Sequence, residues 1–149
     1  MLFAKKTPTL PRLLVVEDEP LVAFDTEHLL SDQGYDVVAT VDRVADAVAV
    51  IASGAAIDLV LVDVSLADGS GLDVARAAGG RGIPVLFVTG NCPAEAETLA
   101  IGCLDKPYPQ RSLLAAIGAV EAEVSGARRR RSPDGFRLFG QAVQGRAIG

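Results

Sequence analysis

Asp63 closes the apolar run Ile57-Asp58-Leu59-Val60-Leu61-Val62, and three other apolar runs in the chain also end on residues that can do chemistry. Leu13-Leu14-Val15-Val16 leads into Glu17-Asp18-Glu19, Val85-Leu86-Phe87-Val88 into Thr89-Gly90, and Ile101-Gly102-Cys103-Leu104 into Asp105-Lys106-Pro107. A carboxylate is costly inside an apolar strand but not at its C-terminal end, where ligands of open α/β sheets bind. If these strands are parallel neighbours, one sheet edge gathers carboxylates, a hydroxyl and an ammonium. Glu17, Asp18 and Asp63 then form a compact oxygen-only site. That chemistry favours Mg²⁺ or Mn²⁺, with water and a phosphate oxygen completing an octahedron. Without a cation, three close carboxylates repel one another. Glu17 and Asp18 could instead simply favour the start of the next helix. For that pair alone the two accounts are equal; Asp63 tips the balance to a metal.

Asp63 could be a metal ligand only, or a nucleophile that accepts a phosphoryl group as an acyl phosphate. Lys106 can neutralise a carboxylate or a phosphate. Thr89 can donate a hydroxyl hydrogen bond to a phosphoryl oxygen, and Gly90 lets the backbone come close. In isolation Lys106 reads as a solvated lysine and Thr89-Gly90 as a turn. Their shared placement at strand ends favours the functional reading.

Five β/α units must position these groups. The strands are expected at about 12–16, 37–39, 57–63, 85–88 and 102–104. The helices are expected at about 19–34, 43–52, 71–78, 93–100 (short) and 110–123. Apolar β-branched runs bounded by turn residues indicate strands buried on both faces. Pro20 suits a first helical turn and Gly34 a helix end. The first helix is expected to bury a stripe of Leu21, Phe24 and His28 or Leu29, which makes His28, the only histidine, a partly buried helix residue. Right-handed crossovers give a doubly wound, five-stranded parallel sheet with helices on both faces, in the common order 2-1-3-4-5. That order sets Glu17 and Asp18 beside Asp63.

The totals fit this class. The chain has 149 residues, half of them hydrophobic but only 5% aromatic, so the core is aliphatic. Residues 1–124 carry a net charge of −10 and residues 125–149 a net charge of +5. An acidic body argues against direct nucleic-acid binding by the fold. Cys92 and Cys103 lack metal-like spacing and read as free thiols of a reducing compartment. No apolar run approaches membrane-spanning length, and the start of the chain does not resemble a signal peptide, so a cytoplasmic location is expected. The expected organisation is a leader over 1–10, a domain over 11–124 and a basic tail over 125–149. The run Arg128-Arg129-Arg130-Arg131 reads as a solvated tail or as a docking element for an acidic partner. Phe136, Leu138, Phe139, Val143 and Ile148 follow it and could pack as a tail helix or strand. No separate DNA-binding domain is expected in so short a tail.

Taken in order, Val15-Val16-Glu17-Asp18-Glu19-Pro20, Leu61-Val62-Asp63, Asp68-Gly69-Ser70-Gly71-Leu72, Val88-Thr89-Gly90 and Asp105-Lys106-Pro107-Tyr108 resemble the receiver domain of two-component response regulators, over roughly residues 11–124. The resemblance implies a flavodoxin-like fold. It implies a phosphoprotein of a phosphorelay in which Asp63 takes a phosphoryl group from a histidine kinase or a histidine phosphotransfer protein and switches binding of a downstream protein target. It also implies Mg²⁺ bound by Asp18, Asp63 and the Ser65 backbone carbonyl, with Glu17 acting through water. Thr89 and Lys106 would hold the phosphoryl oxygens, Gly90 would adjoin them, and Lys106-Pro107 would be a cis peptide. A dimer of two copies is compatible with it.

Two departures stand out. Cys103 occupies the position, three residues before the lysine, where the family usually carries an aromatic switch residue. The stretch from Thr89 to Lys106 is short, so the fourth helix must be abbreviated. With Phe87-Val88-Thr89-Gly90, these features resemble a stand-alone alphaproteobacterial receiver group with a Phe-Ala-Thr-Gly-type motif, active in general stress signalling. Two rivals fit less well. A Mg²⁺-dependent phosphatase with an Asp nucleophile usually needs a second aspartate two residues on, where this chain has Ser65. A nucleotide-binding domain needs a Gly-rich turn after the first strand, where this chain has Glu17-Asp18-Glu19-Pro20.

Overall fold

A computed structural model describes residues 7–127 and 132–139. The start of the leader, the run Arg128-Arg129-Arg130-Arg131, Val143 and Ile148 lie outside the described residues. The elements are β1 (Arg12–Val16), α1 (Pro20–Asp32), β2 (Asp36–Val41), α2 (Val44–Ala52), β3 (Leu59–Val62), β4 (Ser65–Leu66), β5 (Gly69–Ser70), α3 (Gly71–Gly80), β6 (Val85–Thr89), α4 (Ala96–Leu99), β7 (Gly102–Asp105), α5 (Gln110–Ser125) and β8 (Phe136–Leu138).

The main sheet runs β2-β1-β3-β6-β7-β8. Its first five strands are parallel, in the doubly wound order expected from the sequence. The sixth, β8, is antiparallel to β7 and extends the sheet beyond the five strands expected. A second small feature also had no strong sequence signal: β4 and β5 form a two-residue hairpin immediately after Asp63. There Asp68 turns away from the acidic residues. Its carboxylate accepts hydrogen bonds from the Val44 and Ala45 amides at 2.6 and 3.1 Å, capping the start of α2 from outside that helix.

Alternate residues of each parallel strand face opposite sides, so the core is double. Leu14, Val16, Val60, Val62 and Phe87 pack under α2 and α3 with Ala47, Ile51, Val74 and Ala78. Leu13, Val15, Leu59, Leu61 and Leu86 pack under α1 and α5 with Leu30, Leu113 and Ile117. This explains why the strands read as unbroken apolar runs: both pleat directions are buried. Helix ends follow local chemistry. Pro20 opens α1, the Ser70 hydroxyl accepts from the Leu72 amide to cap α3, and Gly126 closes α5 at φ 76°. Leader residues Thr9 and Leu10 are tied to α5, their backbone N–H groups donating hydrogen bonds to the Glu121 carboxylate at 2.8 and 2.9 Å.

One helix face differs from the expected one. Leu21 and Phe24 are exposed, at 78% and 68%, and His28 is exposed beside Phe24, their rings stacked 6.1 Å apart. The buried residues of α1 are Thr26 and Leu30. Apolar residues occur on more than one side of this helix, and the side that meets the sheet carries Leu30, with Leu29, the alternative to His28 in the expected stripe, half-buried against the same core.

Candidate functional site

The C-terminal ends of β1, β3, β6 and β7 meet on one edge of the sheet. Parallel pairing in register sets Val16 beside Val62, so the next residues, Glu17 and Asp63, emerge side by side. Carboxylate oxygens of Glu17, Asp18 and Asp63 all lie within 4.8 Å of one another. Glu17 and Asp63 are buried, while Asp18 is half-buried.

Lys106, at the exit of β7, reaches across this edge. Its ammonium donates to Glu17 at 2.7 Å, to Asp63 at 2.8 Å and to Glu19 at 2.9 Å. One cation therefore serves three carboxylates, with Asp18 adding a fourth nearby, so the edge keeps an excess of negative charge. Burial by itself would lower the Lys106 pKa, but the bonds to Asp63, Glu17 and Glu19 outweigh it and raise it. Glu17 does not show the matching depression. Burial raises its pKa by more than the Lys106 hydrogen bond lowers it. Both pKa values are thus raised, which favours the charged form of Lys106, held by three carboxylates, and disfavours the charged form of Glu17, where burial outweighs its bond to Lys106.

Asp63 is held from a second side, where its Oδ1 accepts from the Ser65 amide at 3.1 Å. Its backbone is fixed by Gly71 at the start of α3. A Cβ on Gly71 would collide with the Asp63 carbonyl oxygen and lie 2.9 Å from the carbonyl carbon. The Gly71 amide also donates to the Val64 carbonyl at 2.7 Å. Only a residue without a side chain lets α3 start this close to the carboxylate's own backbone.

Thr89 ends β6 with 3% exposure, and its Oγ1 accepts a long bond from the Asn91 amide at 3.5 Å. Gly90 is exposed, and a side chain there would meet open space, so packing does not demand glycine. The Lys106-Pro107 peptide is cis. Cys103 is fully buried in β7. Its thiol pKa is raised, first by burial and then by a hydrogen bond with Cys92. The two cysteines, separate in sequence, are thus neighbours in space.

Three contributors were not singled out from the sequence. Glu19 read as the start of a helix, yet it binds Lys106. Gly71 stood within a Gly-rich motif that gave a signal but no role. Tyr108 helps line a groove of about 460 Å³ between α1 and the β7–α5 connection, with Glu19, Asp25, Thr26 and Lys106. Burial raises the Tyr108 phenol pKa.

This edge can hold a hard divalent cation on oxygen ligands, and it sets the buried Asp63 carboxylate beside the Lys106 ammonium, with Thr89 at the end of the neighbouring strand β6. The donor set fits such a cation, because carboxylates outnumber the one ammonium among them. Among the described residues, no helix is long and apolar enough to cross a membrane.

Comparison with known proteins agrees with this chemistry. The family model for the response regulator receiver domain matches residues 13–118. The phyllosphere-induced regulator PhyR of Methylorubrum extorquens is 32% identical over 128 residues, covering 79% of this chain and 46% of PhyR. The two-component response regulator PhoP of Pseudomonas aeruginosa is 36% identical over 124 residues, covering 77% of this chain and 53% of PhoP. The chain thus spans about half the length of these curated relatives. Among solved structures, a response regulator receiver protein from Sinorhizobium medicae superposes with a TM-score of 0.67 at 28% identity, covering 75% of this chain and 94% of that one. A CheY-like receiver domain from Methanospirillum hungatei gives a TM-score of 0.67 at 26% identity, covering 76% and 95%.

Proposed function

The chain belongs to the response regulator receiver family, and from that premise we propose that Asp63 accepts a phosphoryl group from a phosphohistidine on a partner protein and thereby switches binding of a downstream protein. Receiver domains are signalling domains rather than classical enzymes, and they bind Mg²⁺ at an acidic site of the kind formed here by Glu17, Asp18 and Asp63. One observation carries the reading. The Asp63 carboxylate is buried at a strand end and is held between the Lys106 ammonium and the Ser65 amide, with Glu17 and Asp18 alongside.

The transfer follows from these groups. An Asp63 carboxylate oxygen attacks phosphorus, the bond from phosphorus to the donor imidazole nitrogen breaks, and that nitrogen regains a proton. The product is an acyl phosphate on Asp63. Asp18, Asp63, the Ser65 carbonyl and, through water, Glu17 would hold Mg²⁺, which when bound neutralises charge on the phosphoryl oxygens. Lys106 moves part of its hydrogen bonding from carboxylate to phosphoryl oxygen. Thr89, whose hydroxyl now accepts only a long bond from Asn91, turns to donate to another oxygen. The donor is a histidine kinase or a histidine phosphotransfer protein, and the exposed Leu21 and Phe24 on α1 offer it an apolar face on the helix that lines the groove. We place the protein in the cytoplasm, on its two free thiols, which suit a reducing compartment.

Incubation with acetyl phosphate and Mg²⁺, followed by intact mass measurement, tests this. The expected result is one stable phosphoryl addition, absent in Asp63→Asn, which keeps the shape but removes the nucleophilic oxygen. A full mass shift in Asp63→Asn would overturn the assignment. Rapid release of phosphate with no adduct would point to a phosphatase.

A further inference from the structure

The open edge of a parallel sheet is a rail of unpaired N–H and C=O groups that an extended segment can dock on. In this fold the outer edge of β7 is filled by a segment from beyond α5. Its register sets Leu104 opposite Phe136, Cys103 opposite Arg137 and Gly102 opposite Leu138. Bonds from the Asp105 amide to the Gly135 carbonyl at 2.9 Å and from the Phe139 amide to the Ile101 carbonyl at 2.8 Å close the ladder at its two ends.

The segment grips both faces of the sheet. Phe136 is buried in the core under α1 and α5, with Leu138 packed against it, whereas Phe139 is buried in the core under α2 and α3. Arg137 lies over the Phe139 ring at 5.8 Å. β7 is shaped to receive it. A Cβ on Gly102 would lie 2.8 Å from the Arg137 carbonyl oxygen and 2.9 and 3.2 Å from Phe136 ring atoms, so its three nearest neighbours all belong to β8. A side chain at 102 would push the segment off. Yet β8 is only three residues long, at the short end of the usual range for a strand. A short element that fits a built edge is a ligand on a tether, and an identical element of another copy fits equally well.

We propose that the outer edge of β7 is a strand-accepting site, that Gly135–Phe139 is its ligand, and that a second copy of this chain supplies this ligand in place of the tethered one. Two full-length variants separate the site from the ligand. Gly102→Val blocks the site and leaves the segment free to be donated. Phe136→Ser/Phe139→Ser disables the segment and leaves the site open. Each variant alone should run as a single chain of 15.4 kDa in native mass spectrometry and light scattering. Their equimolar mixture should form a one-to-one complex of twice that mass. A mixture that stays at single-chain mass, with both variants showing cooperative melts, overturns the exchange. Self-association of the open-site variant alone also overturns it, because association then uses another surface. Gly102→Ala serves as the donor if the valine variant does not fold.

A labelled synthetic peptide of residues 132–139 probes the site directly. It should bind the open-site variant and lose at least about tenfold in affinity when Gly102→Val is added. Failure to bind the folded open-site variant, or equal binding with valine at 102, would show that β8 is only a structural edge strand.

Discussion

Replacing Lys106 with Met removes the ammonium while keeping most of the aliphatic stem, so little cavity forms. What it leaves behind is the point. Glu17 and Asp63 stay buried, at 6% and 7% exposure, without their counter-charge. The bond to Glu19 matters less, because that carboxylate is 61% exposed and a surface pair is worth at most about 1 kcal/mol. Stranding a buried charge by removing its partner costs about 3–5 kcal/mol. In a chain of this size each kcal/mol lowers the melting midpoint by roughly 2–4 °C, so a fall of roughly 10 °C is expected at neutral pH and low Mg²⁺.

The loss should depend on pH, and its sign is fixed. The Lys106 pKa is raised, so its contribution is fully present below the unfolded lysine value and does not change between pH 5 and 8. The Glu17 pKa is also raised, so the folded state binds its proton more tightly than the unfolded state. Stability therefore falls as pH rises from the unfolded glutamate value through the folded one. Without Lys106 the Glu17 pKa rises further and that window widens upward. The deficit of Lys106→Met should be smallest at pH 5 and largest at pH 8, and Mg²⁺ should recover more of it than it adds to the wild type. Calorimetric or circular-dichroism melts across this range, with and without Mg²⁺, provide the assay. A deficit that is the same at every pH and unaffected by Mg²⁺ would refute the argument that buried carboxylates are its source.

Mg²⁺ should raise the melting midpoint of the wild type, and the rise should shrink in Asp18→Ala; equal rises would count against ligation by Asp18. Gly71→Ala should destabilise the fold by about 1–3 kcal/mol and slow phosphorylation from acetyl phosphate, because its Cβ collides with the Asp63 backbone; wild-type stability and rate would refute the close approach. Phosphorylation should increase amide hydrogen-exchange protection in residues 90–100 and change α2 little. That segment holds a helix of only four residues and buries little beyond Ala96 and Ala100, so it opens easily. No change there would move the output elsewhere.

Much of this protein was legible in the chain alone. Val15-Val16 before Glu17-Asp18, Leu61-Val62 before Asp63 and Cys103-Leu104 before Asp105-Lys106 each place a charge where an apolar strand must end. Once strands alternate with helices, right-handed crossovers make the strands parallel and put those ends on one edge, and the common doubly wound order then sets the carboxylates beside one another. Other features depend on contacts between distant residues, and local pattern is silent on those. Leu21-Phe24-His28 carries two large apolar residues at helical spacing, and only the assembled sheet decided that α1 turns Thr26 and Leu30 inward instead. Glu19 could serve a helix start or a lysine far along the chain, and the reach of Lys106 decided it. Gly71 and Gly102 look like ordinary turn and strand glycines until the Asp63 backbone and β8 are seen against them. Phe136 and Phe139 promised packing without a partner. They found one because the edge of β7 was open, and an open edge is a property of the assembled sheet that no single strand's sequence contains.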